Sequence, residues 1–215
     1  MLQVYTRNND PRYPVICFDE SPKQLVSEVI KPLPIQPGQK QRFDYLYQRE
    51  GVCNVLMFFD PFNSWRHVEV TERRTAIDYA QQMKRLVDEY YPNAITLTVV
   101  QDQLNTHTPA SLYKAFAPAE ARRILEKLDF HYTPKHGSWL NMAEIELSIL
   151  SRQCLDCRIP DQPTLQREVT AWEQRRNRSK HTIDPTFRTV LSTANNISGR
   201  LSLRIRESKD ECHSD

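Results

Sequence analysis

The chain has 215 residues, 39% hydrophobic and 26% charged, which allows one sizeable core with a small appendage and excludes wholesale disorder. No run of about 18 apolar residues occurs, and the opening MLQVYTRNNDPRYP has no apolar stretch or cleavage site, so a membrane-spanning helix and a secretory signal are both excluded. The formal net charge of +2 is unevenly spread, −1 over residues 1–149 (17 Lys and Arg against 18 Asp and Glu) and +6 over residues 150–206 (11 against 5), which suits a polyanionic partner and a solvated basic helix equally well.

Pro14–Glu20 (PVICFDE) is an apolar run ending in two acids, a buried strand with carboxylates at its C-terminal end. Residues 31–40 hold three prolines and a glycine and form a loop. Residues 43–49 alternate aromatic and polar side chains as a second strand. Gly51 turns the chain, and 52–59 returns as a third strand, paired with the second in a hairpin. Asp60-Pro-Phe-Asn breaks that strand, and 65–70 forms another antiparallel one. Thr71 caps a helix from about Glu72 to Tyr91, whose apolar positions Ala76, Ile77, Ala80, Met83, Leu86 and Val87 repeat at helical spacing.

The β-branched run 94–100 (AITLTVV) reads as a central strand covered on both faces, ending at Gln101-Asp102. Short helices follow around 109–116 and 118–128, then a short strand over 130–134. The loop KHGSW leads to Asn141, which caps a helix reaching about Cys157. Asp161-Gln-Pro starts another, to about Lys180. The domain organisation is an extension over 1–13, one domain over 14–180, and a tail over 181–215 with little expected structure.

Cys17, Cys53, Cys154, Cys157 and Cys212 are odd in number and scattered through apolar segments, which points to buried thiols in a reducing, cytoplasmic compartment. The pair Cys154-Leu-Asp-Cys157 lacks the second pair a structural zinc site needs and reads as helical core.

Three acids stand at strand or helix ends. Asp19 closes the first strand, Asp102 follows the central strand, and Glu144 lies in the first turn of the helix begun by Asn141. If those two strands are parallel neighbours, Asp19 and Asp102 come side by side at the carboxyl ends, where α/β sheets collect their functional groups. Two like charges there repel, and a divalent cation removes the conflict. Carboxylate-only ligation favours Mg²⁺ or Mn²⁺, and a metal pair suits displacement at phosphorus without a nucleophilic side chain. Each acid alone is as readily a turn former or helix cap. Glu146 competes for the third position: it lies on the helix's apolar arc, whereas Glu144 lies nearer the helix start. Helical geometry prefers Glu144 only modestly.

Three segments together resemble the DDE transposases: VICFDES (15–21), DQLNTH (102–107) and YTPKHGSWLNMAE (132–144). The nearest group is the bacterial insertion sequence six-thirty family, related to the mariner transposases, and the likeness covers roughly residues 12–180. The resemblance implies an α/β, RNase H-like fold, a mixed five-stranded sheet flanked by helices. It implies Mg²⁺, with Mn²⁺ as a substitute, and a reaction of hydrolytic nicking at element ends followed by attack of the 3′-hydroxyl on target DNA. The family's three acids fall on Asp19, Asp102 and Glu144, which decides against Glu146. The implied partners are transposon ends and target DNA, with self-association on DNA.

The chain departs from the family in three places. It begins almost at the first catalytic strand, so the usual N-terminal helix-turn-helix is expected to be missing. The second acid stands in VVQDQLN where the family has Leu-Asp-Asn. The tail after about His181 differs from the family's ending.

Asn105 and His107 follow Asp102 and either orient a metal ligand, touch phosphate, or cap the helix at 109. Lys135, His136 and Trp139 suit a DNA strand through phosphate contact and stacking, or form a solvated loop around a core Trp. Arg73 and Arg74 at a helix start hint at phosphate. Arg175 and Arg176 either hold DNA or end a polar helix. The alternatives to a transposase domain are a non-catalytic DNA-binding remnant and a general RNase H-type nuclease.

Overall fold

The computed structural model describes residues 2–29, 46–134, 137 and 140–180. Five strands form one mixed sheet: β1 (Val15–Glu28), β2 (Tyr47–Asp60), β3 (Trp65–Thr71), β4 (Leu97–Gln101) and β5 (Leu128–Tyr132), in the order β3-β2-β1-β4-β5. β1 is antiparallel to β2, and β2 to β3. The pairs β1–β4 and β4–β5 are parallel. Helices α1 (Ala76–Arg85), α2 (Pro109–Ala115) and α3 (Pro118–Leu125) precede β5. α4 (Met142–Gln153) and α5 (Gln162–Ser179) follow it. This is the α/β, five-stranded mixed sheet flanked by helices that the sequence suggests.

Side chains alternate across a strand, and here the parity decides which helices meet which residues. Ile16 and Phe18 face a core built with Tyr79, Met83 and Leu86 of α1 and its continuation, Leu112 and Ile124. Val15 and Cys17 face the other way, with Val100, Met142 and Ala143. Farther along that second face, Met57, Val68 and Val70 pack on Leu147, Leu150, Leu165, Val169 and Trp172. Each fully buried aliphatic or aromatic side chain contributes about 1.5–3 kcal/mol.

Two sequence expectations change. No turn separates two strands at Gly51: β2 runs through it and pairs with β1 over most of its length. Leu25 lies opposite Gly51 and Val26 opposite Arg49, so Glu50 is the extra residue of a bulge, and Gly51 takes φ 107° to accommodate it. A glycine in a strand pattern signals turn and bulge alike, and periodicity cannot separate them. Residues 43–45 of the expected second strand lie outside the described residues. The helix expected from Glu72 starts instead at Ala76. Thr75 accepts from Asp78 N, and the Asp78 carboxylate accepts from Thr75 N, a reciprocal cap that Thr71, still in β3, cannot make. Past α1 the helix widens into a π-helical turn over Leu86–Tyr90.

The β2–β3 turn is held by Asp60, which is fully buried. Its carboxylate accepts from the backbone N–H groups of Phe62 and Asn63 (both 2.9 Å), from Asn63 Nδ2 (2.8 Å) and from Tyr91 Oη (2.9 Å). Asp60→Ala strands several of these donors and is expected to cost about 3 kcal/mol, measured as a fall in the urea midpoint at unchanged slope.

The exposed edge of β3 is covered by side chains of α5. Asn177 Oδ1 accepts from Arg66 N (2.9 Å), Glu173 Oε2 from Val68 N (2.8 Å) and Gln166 Oε1 from Val70 N (3.2 Å). The helix thus satisfies the donors a sixth strand would take, which blunts edge-on association. Beside this seam, His67 sits between Glu173 (3.3 Å) and Glu69 (3.4 Å). Burial opposes its protonation, but the two carboxylates push its pKa up to about 9. A raised folded pKa stabilises fully below the unfolded value and loses that contribution as pH rises through the folded one. Stability is therefore expected to fall by on the order of 2 kcal/mol between pH ~6.5 and ~9 from this residue. His67→Gln should flatten that part of the pH–stability curve.

Among the described residues no helix is long and apolar enough to cross a membrane. Cys17 and Cys53 are buried, Cys154 is half-buried and Cys157 exposed, none of them in a disulfide among the described residues. The expectation of a core pair at 154 and 157 is thus corrected. α4 stops at Gln153, short of the predicted Cys157, and Cys157 lies in the loop beyond. Cys212 lies outside the described residues.

Candidate active site

Asp19 is not at the end of its strand, as the sequence suggests, but in its first third. What ends there is the parallel neighbour. β1 and β4 pair from Val15↔Thr98 to Cys17↔Val100, and β4 stops at Gln101 while β1 continues beside β2 alone. Asp19 and Asp102 each lie two residues beyond the last pair, at equivalent positions on adjacent strands. Parity points Asp19 to the face where Cys17, Val100 and the start of α4 pack.

Asn141 fixes α4 against that point. As N-cap, its Oδ1 accepts from Ala143 N (3.2 Å), and its Nδ2 donates to Phe18 O (2.8 Å) and Asp19 Oδ2 (3.2 Å). One amide side chain therefore starts the helix, docks it on β1 and touches the first acid. Glu144 stands at the third helical position, exposed, with no partner among the described residues. Asp19, Asp102 and Glu144 line one cleft of about 440 Å³, together with Glu20, Thr133 and the α4 residues Ser148, Ser151 and Arg152.

The electrostatics of the cleft are those of crowded acids. Burial, and then the charges of Asp102 and Glu144, push the Asp19 pKa up to about 7 against the N–H bond from Glu20. Asp102 is also partly buried, but the His107 imidazole holds its pKa below the usual carboxylate value. His107 Nδ1 lies 2.5 Å from Asp102 Oδ1, and its Nε2 lies 3.6 Å from Glu20 Oε2. Burial disfavours the imidazolium, yet these two acids raise the His107 pKa to about 9. Among the described residues no three His, Cys, Asp or Glu side chains are spaced to hold a metal ion as they stand. The three acids share a cleft without converging to ligand distance.

Glu146 is fully buried and spoken for. It pairs with Arg66 (3.3 Å) and Arg176 (2.9 Å) on the far side of α4. Its place on the apolar arc, which made it a competitor in the sequence, is explained by these two guanidinium groups. Arg176 is thereby turned inward: its side chain is 11% exposed and its guanidinium lies over the Trp172 ring. Of the two arginines expected either to hold DNA or to end a polar helix, Arg176 is thus engaged within the fold and Arg175 is exposed. Arg74 does not stand free for phosphate but pairs with Glu20 at 3.1 Å. Lys135, His136 and Trp139 lie outside the described residues.

Asn105 and His107 do not cap α2, whose N-cap is Thr108. Strand alternation sends Glu20 to the face opposite Asp19, so the pattern of the strand gives no sign of its place beside His107. Its contacts with Arg74 and His107 depend on a loop and a helix start that periodicity does not place.

The sequence pattern described as DDE superfamily endonuclease matches residues 14–166. The fold is similar to that of Mos1, a mariner transposase, and so is RNase H-like. The Mos1 mariner paired end complex with Mn superposes at a TM-score of 0.58 and 16% identity, over 91% of this chain and 60% of that one. The Mos1 transposase paired-end complex with left transposon end gives 0.55 and 16% over 80% and 51%. The Mos1 Strand Transfer Complex gives 0.54 and 17% over 80% and 50%. The chain thus spans half to three-fifths of these Mos1 chains. No curated protein shows significant sequence similarity to it.

Proposed function

The chain belongs to the DDE superfamily of endonucleases, and we propose that it is the catalytic domain of a transposase that cleaves DNA at insertion-sequence ends and joins the free 3′-end to target DNA. The observation that carries this reading is the meeting of Asp19, Asp102 and Glu144 on one cleft, from three elements remote in sequence. The chain's motifs resemble those of the bacterial insertion sequence six-thirty group. The Mos1 complexes are described with paired transposon ends, and by analogy the partners here are transposon ends, target DNA and a second copy of the chain assembled on DNA.

The donor set fits Mg²⁺ or Mn²⁺. It is carboxylate only, and the hard-oxygen preference of these ions selects them over zinc or copper. Burial, and then the charges of Asp102 and Glu144, raise the Asp19 pKa, and a divalent cation beside the carboxylate relieves that penalty. Asp19, Asp102 and Glu144 would hold the ions, and bound ions would supply a lowered pKa for the attacking water or 3′-hydroxyl and charge for the leaving oxygen. The protein's own share is positional. Asn141 keeps Asp19 and the start of α4 in register. Glu144, near the helix N-terminus and without a side-chain partner among the described residues, can swing toward the strand ends.

The test is incubation of the full chain with supercoiled plasmid in Mg²⁺, with and without EDTA. Nicked and linear DNA that appear only with free metal are expected. Salt-sensitive DNA binding with no turnover in either Mg²⁺ or Mn²⁺ would establish a non-catalytic remnant instead.

A further inference from the structure

His107 is fully buried, and its ring is clamped on two sides. It stacks on Tyr79 at 5.0 Å between centroids and meets the edge of Phe18 at 5.1 Å. Tyr79 is itself pinned by a bond from its hydroxyl to Gln101 Oε1 (2.9 Å), and Gln101 Nε2 donates to His107 O (3.1 Å). The ring therefore has little freedom, and its two nitrogens point to set places. Nδ1 meets Asp102 Oδ1 at 2.5 Å. Nε2 faces Glu20 Oε2 at 3.6 Å, just beyond hydrogen-bond reach, and makes no hydrogen bond among the described residues. Glu20 in turn holds Arg74.

Asp102 needs such a support. β4 ends at Gln101, so no strand pairing fixes residue 102. Its Oδ1 is taken up by His107 and by Leu104 N (3.2 Å). No bond to its second oxygen occurs among the described residues. One oxygen committed to a rigid ring leaves the other fixed in direction, and the His107 ring stands between Asp102 and Glu20.

We infer that His107, backed by Glu20, is a positioning residue that locks Asp102 so that its free oxygen is presented to a divalent cation in the cleft. This rests on the reading of Asp102 as a metal ligand. Partners of this kind typically change metal affinity 10–100-fold when removed.

The experiment is Mn²⁺ binding by the full chain, followed by the electron paramagnetic resonance of free Mn²⁺ and by calorimetry, beside a thermal melt of each variant. His107→Phe keeps the packing between Phe18 and Tyr79 and removes both nitrogens. It is expected to weaken Mn²⁺ binding at least ~10-fold. His107→Gln, whose amide can still donate to Asp102, should recover part of that loss. A ring that served packing alone would give the reverse order, with the Phe variant the better of the two. Glu20→Gln, which leaves the ring in place, should weaken Mn²⁺ binding by a smaller factor and covers the case in which the Phe variant does not fold.

Wild-type binding matched by a folded His107→Phe, or by Glu20→Gln where the Phe variant is unfolded, overturns the inference alone. Wild type that binds no more Mn²⁺ than Asp19→Asn overturns both the inference and the function beneath it.

Discussion

Asp19→Asn is expected to abolish Mg²⁺-dependent nicking while making the metal-free protein more stable at pH 8. The two effects have one cause. A ligand to catalytic metal is worth several kcal/mol of transition-state stabilisation, so its loss should lower the rate at least ~10³-fold. Without metal, the Asp19 carboxylate is half-buried and faces Asp102 and Glu144, and this burial followed by the two charges raises its pKa to about 7. A raised acid binds more protons folded than unfolded, so its charge subtracts stability as pH climbs from ~4 to ~7, with the full penalty above. The neutral amide escapes that penalty, a gain on the order of 2 kcal/mol at pH 8. Saturating Mg²⁺ should erase the difference. Asp102→Asn and Glu144→Gln should lose activity similarly. An Asp19→Asn protein that is less stable at pH 8 and still nicks DNA would mean that the acid is a turn former.

Glu146→Ala should do the opposite. It leaves Arg66, whose side chain is fully buried, without its carboxylate, and it frees Arg176. Removing one member of a buried ion pair costs about 3–5 kcal/mol, because the partner's charge stays behind undissolved. The Mn²⁺ affinity of the molecules that remain folded should be unchanged. The urea midpoint and the Mn²⁺ titration together separate the two glutamates: Glu144 governs the metal and Glu146 governs the fold. A Glu146→Ala chain of normal stability that binds no Mn²⁺ would exchange their roles.

Much of this was legible in the residues. The run ending at Asp19 is apolar and the run before Asp102 apolar and β-branched, which marks two buried strands leading into acids; that the strands are neighbours, with both acids two residues beyond the last β1–β4 pair, comes from the register alone. Asn141 before a helical stretch is a cap by chemistry, and a cap fixes the first turn in which Glu144 stands. What could not be read were contacts between segments whose relative placement has no local code. Gly51 gives the same signal for a bulge as for a turn. Glu20 and Arg74 meet only because β1 outruns β4. Arg176 looks like a surface cation in a basic cluster until Glu146 is placed beneath it. The capping of β3 by Gln166, Glu173 and Asn177 is a register between a helix and a strand edge, and periodicity carries no information on it.

The central claim, that the three acids form one metal site, is tested most directly by a crystal of the full chain grown with Mn²⁺ and recorded at the manganese absorption edge. Anomalous density is predicted in the cleft between Asp19 and Asp102, with Glu144 turned toward it, and absent from crystals of Asp102→Asn. Manganese bound elsewhere, or none at concentrations that support DNA cleavage, would contradict it.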